Sequence, residues 1–229
     1  MEKISLGNIY HRRWDRENKK SIPALNRARA WDVLTKKVFQ GFVSETSTIL
    51  DLGCGQGDFI NRIKCARKIA VDLDSSNAKY LEPDVEFVNT SARELGQIQK
   101  ASINVVFTSN MLEHLSSREE LFETLFEIQR VLKSDSSGIL LIMMPNINKV
   151  GMRFYDFIDH TLPLNDSSLR EALELCGFKV ERVIPGFFPY SAVNTRFTFP
   201  KFLYKLYLHL PMNNRPFAGQ MLIRASLLS

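Results

Sequence analysis

A glycine-rich turn that directly follows an apolar run constrains this chain more than any other feature. Residues 49–59 read ILDLGCGQGDF, an apolar segment that contains Asp51 and is followed by Gly53, Gly55 and Gly57. Glycine lets a backbone turn sharply and approach a ligand closely. The spacing is GxGxG rather than the GxGxxG of dinucleotide-binding proteins, and the chain has no GxxxxGK[ST] phosphate loop. Alone, the turn predicts a tight connection at the end of a strand.

Short apolar runs alternate with helical patterns along most of the chain. The patterns predict strands at 47–53, 67–74, 84–89, 102–109, 136–146, 178–185 and 218–227, and helices at 24–40, 58–66, 118–133 and 167–178. Asp166 is the expected N-cap of the last of these helices, and Gly177 the residue that ends it. This order predicts an α/β fold, in which a mostly parallel sheet is covered by helices on both faces. Ligands of such sheets bind beyond the carboxyl ends of the strands, where the glycine turn lies.

The length of 229 residues fits a single domain, 1–229. Residues 1–44 form an N-terminal helical cap in this prediction. Two segments interrupt the alternation, 146–165 and 186–217, and the second is rich in aromatic residues with Lys201 and Lys205. Long insertions after late strands are typical of substrate lids. For the aromatic segment, a helix packed on the sheet between Pro200 and Pro211, a lid that stacks on sugar rings and an interfacial helix all remain open.

Charge and cysteine content limit the classes of function. The net charge is +5, and residues 1–40 carry ten Lys or Arg against four Asp or Glu. The three cysteines have no CxxC spacing, which favours a reducing compartment. No export signal or membrane-spanning run is apparent, so we expect a cytoplasmic protein for which peripheral membrane contact is allowed. No nucleic-acid partner is expected, and the oligomeric state is left open.

Several motifs occur in an order that is more specific than any one of them. They are ILDLGCGQGDF, VDLD, NVVFTSNMLEHL, VLKSDSSGILLIMMP and LELCGFKV, over about residues 45–185. In this order they resemble the motifs of class I S-adenosylmethionine-dependent methyltransferases. The resemblance implies a Rossmann-like seven-stranded sheet with an antiparallel last strand, and S-adenosylmethionine as the cofactor.

The same resemblance implies roles for individual residues. Gly53 to Gly57 would run past the methionine part of the cofactor, Asp72 would bind the ribose and Leu73 would pack on adenine. The remaining residues expected around the cofactor are Asp51, Cys54, Ser91, Ala92, Ser109, Asn110 and Met111. Ser91 stands where the family often has an acid, and Cys54 is expected to fill space rather than to act as a nucleophile.

Within this class the chain resembles small bacterial methyltransferases associated with surface-polysaccharide and glycan synthesis. The segments SNMLEHL, the run from Asp156 to Tyr190 and the late LYLHLP carry that resemblance. It implies a sugar-type small-molecule substrate and methylation of oxygen or nitrogen. An RNA or protein methyltransferase, or a non-catalytic scaffold that binds the cofactor, remain as alternatives.

Methylation of a sugar hydroxyl requires a base, and His160 in the 146–165 insertion is the expected one. A loop histidine bonded to the backbone is the alternative reading. His114 is the rival base, although a structural role for Glu113 and His114 is the stronger expectation. Some quinone-pathway methyltransferases bind a metal on an ExxEH motif here. Because this chain has Asn110 at the first position, no metal is predicted.

Overall fold

The computed structural model describes residues 21–135, 138–190, 197–212 and 215–228. Its strands are β1 (Thr48–Leu52), β2 (Arg67–Asp72), β3 (Val85–Asn89), β4 (Val105–Ser109), β5 (Ile139–Pro145), β6 (Phe178–Pro189) and β7 (Ala218–Leu227). Its helices are α1 (Ile22–Lys37), α2 (Arg118–Val131), α3 (Ile147–Val150), α4 (Asp166–Leu175) and α5 (Lys201–His209). Short 3₁₀ helices cover Phe39–Phe42, Ser75–Tyr80, Leu112–His114 and Gly151–Asp156.

The seven strands form one sheet in the order β3-β2-β1-β4-β5-β7-β6. Neighbouring strands from β3 to β5 run parallel, whereas β7 is antiparallel to both β5 and β6. The predicted seven-stranded, mostly parallel sheet with an antiparallel last strand is therefore confirmed. The strand order reverses between β1 and β4, so that the switch point lies beside the glycine turn.

Alternating residues of the central strands point into two separate cores. Leu50 and Val106 pack with the apolar faces of α2 and α4 on one side of the sheet. Ile49 and Phe107 pack on the other side with α1 and with Phe59, which follows the glycine turn. The rings of Phe59 and Phe107 stack with centroids 3.8 Å apart. These two layers hold the carboxyl ends of β1 and β4 in fixed positions.

Two local predictions were wrong. The predicted helix 58–66 is absent, and residues 58–62 form turns. Arg62 N–H donates to the carbonyl of Phe59, three residues back, while the Asp58 carbonyl accepts from the Arg62 guanidinium at 2.8 Å, so the helical pattern of bonds is broken. The side chain of Gln40 bonds to both backbone groups of Lys64: Lys64 N–H donates to Oε1 at 3.0 Å and the Lys64 carbonyl accepts from Nε2 at 2.9 Å. The N-cap of α4 is Asn165 rather than Asp166. Asn165 accepts from the backbone N–H of Ser168 at 2.8 Å, and the Ser168 hydroxyl oxygen accepts from Asn165 N–H at 3.0 Å, which forms a capping box.

Other local predictions are confirmed. Gly177 follows the C-cap Cys176 with φ of 78°, and helix α5 lies between Pro200 and Pro211. In the predicted helix 118–133, which the structure has as α2, Glu119 and Glu120 lie in the first turn and Arg130 in the last turn, as the helix dipole favours. Within the described residues, no helix is long and apolar enough to cross a membrane.

Candidate functional site

The glycine turn connects β1 to the buried segment around Phe59 by an unusual backbone path. Gly53, Gly55 and Gly57 have φ of 73°, 50° and 75°, a region that other residues rarely adopt. The N–H groups of Gly53 and Cys54 both donate to the carbonyl of Val71, at 2.9 and 3.0 Å. The turn is thus folded over the end of β2, so that its backbone borders the space beyond both strands.

Asp72 at the end of β2 is fixed by the backbone on both carboxylate oxygens. Gly55 N–H donates to Oδ2 at 2.7 Å and Asp74 N–H donates to Oδ1 at 2.9 Å. Asn89 at the end of β3 donates from its side-chain amide to the Asp72 carbonyl at 2.8 Å. This carboxylate is therefore held in one orientation by the glycine turn itself.

Asp51 lies in β1 and is 3% exposed. Burial, and then the charge of Asp72, raise the pKa of its carboxyl well above the usual range. Burial, and then the charges of Asp51 and Asp72, raise the pKa of the Cys54 thiol. A thiol with a raised pKa is a poor nucleophile, in agreement with the expected space-filling role of Cys54.

A cavity of about 350 Å³ opens at the carboxyl ends of β1, β2, β4 and β5. Its volume lies in the range of small-molecule and cofactor sites. Of the predicted residues, the lining includes Asp51, Gly53, Cys54, Gly55, Asp72, Leu73, Ser109, Asn110, Met111 and His160. Gly57, Ser91 and Ala92 are not among the described residues that line it: Gly57 faces Asn61 and Leu81, and Ala92 packs against the core below α2.

The end of β4 supplies one wall of the cavity. Asn110 has φ of 51°, and its N–H donates to the carbonyl of Met143 in β5 at 2.9 Å. Its side-chain amide donates to the Ser109 hydroxyl at 3.0 Å. A Cβ atom on Gly53 would lie 2.7 Å from the Cβ of Met111. The glycine at 53 is therefore required by both its backbone angle and the closeness of Met111.

Two further residues of the lining were missed by sequence reasoning. Arg27 of α1 forms an ion pair with Asp58, which follows directly after the glycine turn. The two side chains are 14% and 9% exposed. An arginine on the cap helix and an acid beside the turn were both visible in the sequence. No spacing rule links positions 31 residues apart, so only the fold brings them together.

The 146–165 insertion brings His160 beside the residues that follow β4. The rings of His114 and His160 lie 5.0 Å apart between centroids at an angle of 78°. Glu113, His114 and His160 each have a potential ligand atom within 4.8 Å of the others. The Tyr190 hydroxyl lies 3.4 Å from Nδ1 of His160. Tyr190 belongs to the aromatic segment 186–217, for which the sequence left three roles open, and its contact with His160 was not predicted.

The segment Leu112–His114 is tied to the loop that carries His160. Thr161 and Leu162 N–H both donate to the carbonyl of Glu113, at 2.9 and 3.0 Å. Nδ1 of His114 lies 2.8 Å from the Asp159 carbonyl and 3.5 Å from its carboxylate. Through these contacts Glu113 and His114 link the segment after β4 to the loop that carries His160, which is the structural role that the sequence favoured. Among the contacts described, Asp159 thus orients His114.

Glu113 is a buried acid in this group. Its side chain is 1% exposed, and neither carboxylate oxygen has a hydrogen-bond partner among the described residues. Burial raises its pKa to about 7, although the neighbouring His114 acts in the opposite direction. The cavity therefore has a carboxyl group that changes its charge near neutral pH.

No role is predicted for His209 or His11. His209 lies on α5, where its Nδ1 is 2.7 Å from the Lys205 carbonyl. Tyr10, Arg12 and Arg13, for which the family resemblance leaves open a position near the cofactor carboxylate or a plain surface position, lie outside the described residues, as does His11.

Comparison with known proteins agrees with this geometry. Residues 50–142 match the family described as Methyltransferase domain. That range runs from β1 to β5 and contains the glycine turn, Asp72 and the residues after β4. No curated protein matches the chain.

Several solved structures share the fold at low sequence identity. A SAM-dependent methyltransferase from Archaeoglobus fulgidus is 23% identical, with a TM-score of 0.63 over 92% of this chain and 97% of that one. A Thermotoga maritima SAM-dependent methyltransferase, described as a possible histamine N-methyltransferase, is 14% identical, with a TM-score of 0.66 over 97% and 99%. Geranyl diphosphate C-methyltransferase from Streptomyces coelicolor, in complex with Mg²⁺, geranyl diphosphate and S-adenosylhomocysteine, is 13% identical, with a TM-score of 0.58 over 86% and 79%.

The domain match and the shared fold support one activity. Residues 50–142 match the methyltransferase domain family, and the whole sheet shares its fold with solved S-adenosylmethionine-dependent methyltransferases. Methyl transfer from S-adenosylmethionine is the reaction that these comparisons support.

Proposed function

We propose that this protein methylates a small sugar or glycan precursor on oxygen or nitrogen. The observation that carries the proposal is that one cavity joins the glycine turn and Asp72 to the group formed by Glu113, His114 and His160. A cofactor bound at the glycine turn would thus share one cavity with this acid–base group. The sugar class is supported by the resemblance of the sequence to glycan-associated methyltransferases.

The residues around the glycine turn fit the cofactor. S-adenosylmethionine supplies a methyl group on a positively charged sulfur, with a neutral thioether as leaving group. Asp51 and Asp72 make this end of the cavity acidic, and a cationic ligand there would offset the burial that raises the Asp51 pKa. Asp72 is already oriented for hydroxyl groups, and Leu73, 72% exposed at the cavity, offers an apolar surface for a flat ring. Gly57, Ser91 and Ala92 remain predicted cofactor contacts, although they do not line the cavity.

The opposite end of the cavity has the groups that an acceptor hydroxyl requires. Donation from Nδ1 of His160 to the Tyr190 hydroxyl would leave the lone pair on Nε2, the form that a general base needs. Glu113, with its pKa of about 7, lies beside it and can take up a proton near neutral pH. An amine acceptor would need only its neutral form, and His160 would then position it. We therefore assign His160 as the base for O-methylation.

The aromatic rings of the two insertions support a sugar-type acceptor. Phe157 and Tyr190 both line the cavity, with ring centroids 5.9 Å apart. The ring of His160 lies 4.9 Å from that of Phe157 and 6.5 Å from that of Tyr190, so that the three rings form one cluster. Rings of this kind bury the apolar faces of sugars while leaving hydroxyls to polar groups. Residues 146–165 and 186–217 would in this proposal act as the substrate lid of a single domain.

The fold alone does not select the acceptor. The names of the structural neighbours already include a possible histamine methyltransferase and a geranyl diphosphate C-methyltransferase. The test is therefore a turnover assay over a panel of nucleotide-sugars and glycans, with His160→Ala compared with wild type. His209→Ala is the matched control, since that histidine lies outside the cavity lining.

The expected result for a hydroxyl acceptor is that His160→Ala slows turnover by about 10²–10⁴-fold and leaves cofactor binding unchanged. His209→Ala should retain the wild-type rate. An unchanged rate in His160→Ala would remove the base assignment. Cofactor binding without turnover on any acceptor would favour the scaffold alternative.

A further inference from the structure

Helix α5 is apolar on its outer as well as its inner surface. Its inner surface consists of Tyr204, Tyr207 and Leu208, which pack against the core beside α1. The ring of Phe188 lies 6.1 Å from that of Tyr204 and 5.7 Å from that of Tyr207. The helix is therefore anchored to the fold by three side chains at helical spacing.

The outer surface of α5 presents large apolar side chains to solvent. Phe202 and Leu206, one turn apart, are 63% and 60% exposed, and Leu203 is 38% exposed. The flanking Phe197 and Met212 are 74% and 41% exposed. No residue of α5 is buried. Exposed apolar groups that cluster in this way mark interaction surfaces, whereas single ones need no explanation.

The segment that contains α5 carries charges of one sign. Residues 182–229 contain six Lys or Arg and no Asp or Glu. The two lysines of this segment, Lys201 and Lys205, lie on α5 and are exposed, and Lys201 pairs with Asp32 of the neighbouring α1. At 100° per residue, both lysines project between the inner surface and the ridge of Phe202 and Leu206. The helix thus combines a ridge of apolar side chains with a cationic flank.

We infer that the outer surface of α5 docks on an anionic lipid bilayer. An interfacial helix inserts an apolar face at the level of the headgroups, while Lys and Arg contact anionic lipids. Residues 182–229 contain no acid that would be repelled by anionic headgroups. A helix of nine residues gives peripheral and reversible contact. This surface is separate from the proposed reaction, since none of its residues lines the cavity.

Because α5 packs against a wall of the cavity, docking of α5 would also place that wall near the bilayer. Phe188, which contacts the inner surface of α5, also lines the cavity with Pro189 and Tyr190. Docking would therefore hold one cavity wall close to the bilayer surface, where a lipid-linked acceptor would be presented.

Co-sedimentation with vesicles tests the inference. The full chain is mixed with vesicles of phosphatidylcholine alone or of phosphatidylcholine with phosphatidylglycerol, at low and high salt. The variants are the double change Phe202→Ser with Leu206→Ser and the single change Lys205→Glu. Leu175→Ser is the control, because Leu175 is a 69% exposed apolar residue at the end of α4. Calorimetric binding of S-adenosylhomocysteine checks that each variant is folded.

We expect the wild type and Leu175→Ser to sediment with the anionic vesicles, and less so at high salt. The double variant should bind about ten-fold more weakly or worse, since two side chains lose their burial in the bilayer, and Lys205→Glu should bind more weakly than wild type. Failure of the wild type to bind anionic vesicles would overturn the inference, as would equal binding of the double variant. A self-association without lipid binding that the double variant abolishes would assign the surface to a second copy of the chain.

Discussion

The buried carboxyl group of Glu113 predicts a specific dependence of stability on pH. Its pKa is about 7 in the folded protein, against an ordinary value of 4.5. In the unfolded chain Glu113 loses its proton above about pH 4.5, whereas the folded protein retains the proton up to about pH 7. The folded state therefore binds more protons between these values, and its stability falls as the pH rises through this range.

The size of the effect follows from the two pKa values. At roughly 1.4 kcal/mol for each pH unit, the difference corresponds to about 3 kcal/mol of stability lost by pH 8. Glu113→Gln removes the ionisable group and keeps the shape of the side chain. An amide without partners costs stability at every pH, so the informative quantity is the change with pH and not the absolute value.

Urea denaturation at pH 5 and pH 8 measures this quantity for wild type and Glu113→Gln. Because a small part of the effect is already lost at pH 5, the free energy of unfolding of the wild type should fall by about 2.5 kcal/mol more than that of the variant between the two pH values. Contributions from other groups, including Asp51, are common to both proteins and cancel in the difference. Glu171→Gln, which alters an exposed glutamate on α4, should retain the wild-type dependence. If the free energy of unfolding changes equally between pH 5 and pH 8 in wild type and Glu113→Gln, the argument that burial keeps this carboxyl neutral is refuted.

Two further predictions concern the glycine turn and the group around His160. Gly53→Ala should destabilise the fold by about 1–3 kcal/mol in urea denaturation, since φ is 73° and the new Cβ would meet Met111. Gly41→Ala, with open space around it, should change stability by less than about 1 kcal/mol. Equal effects of the two substitutions would contradict the argument that Gly53 avoids strain. Treatment with EDTA should leave turnover unchanged, because Asn110 replaces the first acid of the metal-binding motif and His114 is hydrogen-bonded to Asp159. A loss of rate that Mn²⁺ restores would instead show a metal bound by Glu113, His114 and His160.

The sequence was sufficient to predict the sheet and the edge of the sheet at which ligands bind. Apolar runs such as that of β5 are buried on both faces, so that strand and core are encoded together. The glycine turn was recognised because its conformation depends on residue type alone. The role of Asp72 was implied by the family resemblance of the motifs, and the structure places Asp72 at the end of β2 beside the glycine turn.

The rest of the site depends on contacts that no local pattern encodes. His160 meets Tyr190 across 30 residues, and Arg27 meets Asp58 across 31. The helix expected after the glycine turn is absent, and side chains bond to backbone groups of that segment: Arg62 donates to the Asp58 carbonyl, and Gln40 from an earlier segment bonds to both backbone groups of Lys64. Such contacts arise only after the layers have packed.

The most direct test of the account is calorimetric titration of the purified protein with S-adenosylhomocysteine, beside Asp72→Ala. Asp156→Ala is the control, because Asp156 is an exposed acid in the 146–165 insertion. The account predicts that wild type and Asp156→Ala bind equally, and that Asp72→Ala loses about 1–3 kcal/mol of binding free energy with its charged hydrogen bonds to the ligand. Absence of binding to the folded wild type, or equal binding by Asp72→Ala, would contradict the assignment of the glycine turn and Asp72 to the cofactor.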